Sequence, residues 1–180
     1  MDSTRRLLLE RTAAIAGIVG LAAAGGWAQA QSVPASEASA PPLPALGSRL
    51  RLPEVTLLDG RVFKPAQADA QVLVLYWWAS WCPFCALQSP SMEKLWREQR
   101  ARGLHMLALS LDKKPEDATT YLNKKGYTFP VGLVTPEVAR VMPKPRGLPV
   151  TLVRGRDGRV LMVESGQMFP EDVAQIGNLL

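Results

Sequence analysis

The chain has two cysteines, and they stand three apart as Cys82-Pro83-Phe84-Cys85. Thiols at that spacing can close a ring within one helical turn, so the pair can hold two electrons as a dithiol or release them as a disulfide. Such chemistry needs one sulfur as a thiolate. The first turn of a helix favours it, because unpaired amides and the helix dipole stabilise an anion and lower a thiol's pKa. With the pair opening a helix, Cys82 takes the exposed cap, where a partner's sulfur can reach it. Cys85 lies one turn inside and can attack the resulting mixed disulfide.

Other uses of the pair are few. Two cysteines cannot build the multi-bridge scaffold of a small secreted domain. A four-ligand zinc site needs more than the single histidine, His105, which lies inside an apolar, strand-like run. Two thiolates suit copper(I), a soft ion, and Met142, Met162 and Met168 would be further sulfur ligands. Methionines at such spacings usually pack in cores, however. On spacing alone, redox chemistry, half of a metal site and chance all stand.

Position separates them. Val72 to Trp78 is a continuous apolar run, the pattern of a strand buried on both faces. Beyond the cysteines, Ala86 to Arg102 carries Leu87, Met92, Leu95 and Trp96 at helical spacings, which predicts an amphipathic helix ending at Gly103 and kinked by Pro90. A pair that follows a buried strand, is preceded by Trp81 and opens such a helix points to redox chemistry. Leu50 to Leu58 alternates weakly into an Asp59-Gly60 turn, and His105 to Leu111 predicts a second buried strand. Pro115 to Lys125 is a polar helix closing at Gly126; a short strand at Phe129 to Val134 and a short helix at Pro136 to Met142 follow. Pro149 to Arg154 and Val160 to Glu164 form a hairpin around Gly155-Arg156-Asp157-Gly158, and Pro170 to Leu180 is a final helix. This order implies an α/β fold, a mixed sheet covered by helices.

The segment Trp77-Trp78-Ala79-Ser80-Trp81-Cys82-Pro83-Phe84-Cys85 resembles the active-site segment of the thioredoxin superfamily, with Pro90 matching the proline further down that helix. Gly147-Leu148-Pro149-Val150-Thr151 resembles the loop whose proline is cis in that superfamily and faces the disulfide; Asp157-Gly158 and Gly166 follow the same pattern. The leading Leu57-Leu58-Asp59-Gly60 is similar to the exported TlpA/ResA-like branch, whose extra structure between the central strand and the cis-proline Asp112 to Arg146 would supply. The resemblance covers about Leu46 to Leu180. It implies a thioredoxin fold, a central mixed β-sheet flanked by helices, with a TlpA-like insertion before the cis-proline strand. It implies Cys82 and Cys85 as the catalytic pair, and Trp81, Pro83, Phe84, Leu148 and Pro149 as the surface that docks substrate. No metal and no cofactor beyond the redox-active Cys82-Cys85 disulfide are implied.

The role implied is that of a periplasmic monomer that exchanges this disulfide with client proteins bearing thiols or disulfides, apocytochrome c or metallochaperones among them. A membrane thiol-electron transporter would recharge it, and the chain would act chiefly as a reductant. The alternatives are a copper(I)-binding chaperone and a protein-disulfide oxidant. A thiol peroxidase would need a hydroxyl residue three before the attacking cysteine, where Ala79 stands.

Two positions depart from the relatives. Thioredoxins bury an aspartate six residues before the first cysteine, where this chain has Tyr76; some ResA-like proteins carry glutamate three after the second, where it has Gln88. Each missing carboxylate removes a proton acceptor for the inner thiol, and Gln88 reads equally as helix surface. Between the cysteines, Pro83 matches strongly oxidising relatives of the DsbA type, but Phe84 replaces their histidine. Without an imidazole beside it the thiolate is less stabilised, which predicts a less oxidising couple.

The rest of the chain reads as an address and a tether. Residues 1–30 have a basic start at Arg5, Arg6 and Arg11, an apolar Gly/Ala-rich stretch, and Ala28-Gln29-Ala30, the pattern of a signal peptide. Thr4-Arg5-Arg6-Leu7-Leu8-Leu9 resembles a twin-arginine signal, although Glu10 stands where that pattern carries lysine. A retained inner-membrane anchor facing the periplasm is the alternative. Residues 31–47, rich in Pro, Ala and Ser, predict a flexible linker, and 48–180 the thioredoxin-like domain. The net charge of +5 is spread singly and in pairs without an aromatic-basic stripe, so nucleic acid is not an expected partner.

Overall fold

The computed structural model describes residues 40–180; the signal read at 1–30, and residues 31–39 of the linker, lie outside them. The centre of the sheet is β3, Val72–Trp78, whose seven residues are all buried. Val72, Val74, Tyr76 and Trp78 face one core cluster, and Leu73, Leu75 and Trp77 face the other. An uninterrupted apolar strand is stable only when both faces are covered, so β3 must lie in the middle.

Its neighbours are β4 (Leu104–Ser110), parallel to it, and β6 (Val150–Arg154), antiparallel to it. Outside these lie β5 (Val131–Leu133), parallel to β4, and β7 (Val160–Ser165), antiparallel to β6. The five-stranded order β5-β4-β3-β6-β7 is the mixed sheet expected. A separate hairpin of β1 (Val55–Thr56) and β2 (Val62–Phe63) turns at Asp59-Gly60. Here the strand expected over Leu50 to Leu58 shrinks to two residues. Leu57 bridges to Gly132 and the Leu58 amide donates to the Val131 carbonyl at 2.8 Å, so the segment also caps the β5 edge. Glycine at 132 is what admits it, because a Cβ there would collide with the Val55 side chain.

Helix α1 (Pro83–Gln99) covers one face of the sheet; it opens directly after Cys82, as expected of a pair that caps a helix, and runs through Pro90 as one element. Pro83 sits in the first turn, where a proline's fixed φ and missing N–H cost nothing. The other helices are α2 (Pro115–Lys125), α3 (Pro136–Val141) and α4 (Pro170–Gln175). The final helix is shorter than expected, because its last turn tightens to 3-10 geometry at Ile176–Leu179, around Gly177. The end of the linker is held: the Gly47 amide donates to Val160 at 2.8 Å, and Arg159 donates to the Gly47 carbonyl at 2.7 Å.

One acid on the inner side of α1 is buried with its partners. Glu93 accepts from the Thr128 amide and hydroxyl, each at 2.7 Å, from the Phe129 amide at 3.2 Å, and from the Arg97 guanidinium. Burial pushes its pKa up, but the Thr128 amide, Arg97 and the remaining donors outweigh burial and hold the carboxyl below its ordinary value. Such a group stabilises the fold above its unfolded pKa and loses that contribution as pH falls through the folded value. Glu93→Gln is expected to cost about 1–3 kcal/mol at neutral pH. The gap from wild type should close as the pH drops below about 4. Urea titrations at both pH values check this, and an equal loss at both would contradict it.

Candidate active site

The cysteines sit where β3 leaves the sheet and α1 begins. Cys82 is the N-cap of α1, with extended backbone (φ −85°, ψ 115°), and the Cys85 amide donates to its Sγ at 3.2 Å. The Ala86 amide donates to the Cys82 carbonyl at 3.1 Å, and the Cys82 amide donates back to Ala79 at 3.2 Å. The two sulfurs are joined as a disulfide, with Cα atoms 5.2 Å apart. The first-turn amide aimed at the Cys82 sulfur is a donor that a thiolate there would use most strongly.

Cys85 is fully buried, and Cys82 itself is only 4% exposed. The open cap expected for Cys82 is therefore a narrow one, and its neighbours take the surface. Trp81 is 67% exposed, Phe84 56%, and Pro83 is exposed between the cysteines. The Leu148-Pro149 peptide is cis. Leu148 is half-buried against the core cluster that holds both cysteines, and Pro149 is buried, its carbonyl accepting from the Gly166 amide at 2.8 Å. Met142 lies in the opposite core cluster and Met168 is buried in the cysteines' own cluster, against which Met162 packs. His105 is half-buried on β4, and burial lowers its pKa.

The two departing positions are both structural. Gln88 is not helix surface: it is 1% exposed, its amide donates to Thr151 Oγ1 at 2.8 Å, and its oxygen accepts from the Met168 amide at 2.8 Å. It thus ties α1 to β6 and to the turn before α4. The Tyr76 hydroxyl lies 3.3 Å from the Cys85 carbonyl and 3.1 Å from Ser89 Oγ, which itself donates to that carbonyl at 2.7 Å. Burial pushes the phenol well above its ordinary value, and the Ser89 hydrogen bond offsets this only in part. Tyr76 stays protonated at neutral pH and holds the backbone of Cys85.

Sequence reasoning missed a clamp. Asp112, just past β4, accepts from the Ser80 amide (3.1 Å), the Ser80 hydroxyl (2.6 Å) and the Ser110 hydroxyl (2.6 Å). It fixes the turn that leads into Trp81 and Cys82. The only signal in the chain is a Ser-x-Asp at the end of an otherwise apolar strand.

The AhpC/TSA family model matches residues 49–141. Among curated proteins, the chain is similar to "Thiol-disulfide oxidoreductase ResA" of Halalkalibacterium halodurans, at 24% identity over 127 residues, 68% of this chain and 70% of that protein. The protein of the same name from Geobacillus thermodenitrificans is 24% identical over 118 residues, 66% of this chain and 68% of its own length. Among solved structures, a thioredoxin-family thiol:disulfide interchange protein from Chlorobium tepidum superposes with a TM-score of 0.68 at 22% identity, over 76% of this chain and 97% of its own. A protein from the same organism, titled a thiol:disulfide interchange protein DsbE, gives 0.65 at 26% identity, over 75% and 94%. The fold is that of thioredoxin.

Asp112→Ala leaves the Ser80 amide and two hydroxyls without their acceptor, at an expected cost of about 1–3 kcal/mol. Amide hydrogen exchange should rise at Ser80 to Cys82 more than along α1. A uniform rise over the helix would mean that Asp112 supports the fold generally and not this turn.

Proposed function

The chain belongs to the AhpC/TSA family, and from that premise we propose that it is an exported thiol-disulfide oxidoreductase working through Cys82 and Cys85. The observation that carries this is the Cys85 amide 3.2 Å from Cys82 Sγ at the start of a helix that follows a buried strand. In the reductive direction, Cys82 as thiolate attacks one sulfur of a client disulfide. The client S–S bond breaks, a client thiolate leaves, and Cys82 is joined to the client. Cys85, having lost its proton, then attacks Cys82 Sγ; the mixed disulfide breaks and the second client thiolate leaves. Two electrons have passed to the client, and the Cys82–Cys85 disulfide remains.

Trp81, Pro83, Phe84 and Leu148, with Pro149 beneath, form the client-docking surface, and the exposure of the first three supports that role. The reading places the chain in the periplasm as a monomer, reducing clients such as apocytochrome c or metallochaperones and recharged by a membrane thiol-electron transporter. Among the described residues no helix is long and apolar enough to cross a membrane. Phe84 between the cysteines favours a reductant over an oxidant, because it offers the Cys82 thiolate no imidazole.

Two measurements test the reading. The full chain should reduce insulin or rearrange a scrambled disulfide substrate, and Cys82→Ser should abolish this. Cys85→Ser should accumulate a client linked to Cys82 in vivo. Turnover that survives Cys82→Ser would sink the mechanism. The couple should also lie well below about −120 mV, the value of the strong oxidant DsbA. A potential at that value would reverse the assigned direction.

A further inference from the structure

The redox reading leaves a neighbouring pocket without a role. Its volume is about 430 Å³, and it lies between the end of β7, the turn at Gly166 to Phe169, and α4. That turn is bonded to the candidate active site twice. The Gly166 amide donates to the Pro149 carbonyl at 2.8 Å, and the Met168 amide donates to Gln88, one turn beyond Cys85, at 2.8 Å. The turn that lines the pocket is therefore held directly against Pro149 and Gln88.

Its lining is mixed in an informative way. Met162 and Met168 supply apolar surface, and Phe169, also lining it, is 68% exposed. A large aromatic left in water beside an apolar recess is what a contact surface looks like before its partner arrives. Two exposed carboxylates, Glu164 and Asp172, line the same pocket, and neither pairs with a cation among the described residues. No lysine or arginine lines it. Unpaired carboxylates beside an apolar contact select a cationic partner and disfavour an anionic one.

Resting on the redox reading, we propose that this pocket holds the stretch of a client polypeptide next to its reactive cysteine, and that it selects a stretch with a bulky apolar side chain beside a lysine or arginine. The apolar group packs on Met162, Met168 and Phe169, and the cation meets Glu164 and Asp172. The occupant is an extended segment, because β7 is the edge strand of the sheet and borders the pocket.

The test compares, for the full chain, the reduction of two peptide disulfides that differ only in Lys-Phe or Glu-Phe beside the cysteine. A small aromatic disulfide, too short to reach the pocket, is measured alongside. Wild type should favour the Lys-Phe peptide in kcat/KM by about two- to ten-fold, the range for two exposed charge pairs. Raising the salt to about 0.5 M should shrink that ratio, since exposed charges are screened. Glu164→Gln with Asp172→Asn should bring it close to one, and the wild-type salt series decides the matter should that variant not fold. A wild-type ratio of one, or a ratio unmoved by both salt and substitution, overturns the proposal. So does a peptide preference that vanishes as the protein dimerises in sedimentation, which would give the pocket to a second copy. Failure of wild type on the small disulfide would instead sink the redox reading itself.

Discussion

The chemistry available to this molecule depends on where one helix begins. Cys82 is the N-cap of α1 because β3 ends at Trp78 and the chain needs only a short turn to enter the helix. The magnitudes show which feature governs. Burying the large side chains of β3 contributes on the order of 10 kcal/mol or more, at roughly 1.5–3 for each. The Asp112 clamp is worth about 1–3 kcal/mol. The strand therefore decides where the cysteines lie, and the clamp decides how the turn between strand and cap is shaped.

Legibility followed the range of the interactions. Strand β3 and the pairing of a CxxC with a helix start were readable because each is written in consecutive residues. The tightened last turn at Ile176–Leu179 was not, since it depends on local geometry around Gly177 that pattern alone leaves open. The resemblance to thioredoxins, and no periodicity, pointed to the cis peptide at Pro149. Gln88 was legible as a departure but not as a bridge, because Thr151 and Met168 come to it only when the sheet and the turn before α4 assemble. Asp112 was invisible for the same reason.

Two side chains that pack near Cys85, Tyr76 and Gln88, carry no charge. Where relatives keep carboxylates, this chain has a phenol held neutral by burial and an amide whose two ends are already engaged. Neither accepts a proton at neutral pH. The nearest buried acid along α1, Glu93, is committed to Thr128, Phe129 and Arg97. On this inner face of α1, Tyr76, Gln88 and Glu93 therefore leave no free proton acceptor among them.

The held end of the linker has a further consequence. Residues Gly47 to Leu50 hydrogen-bond to Gly158 and Val160, so they occupy the outer rim of β7 at its start and leave the remainder open. An open sheet rim is a template on which other chains can polymerise, and proteins suppress this by charge and by shortness. Here the unprotected stretch is only a few residues long and carries Glu164. The same rim that receives the N-terminal segment is thus guarded against runaway self-association by one carboxylate and by brevity.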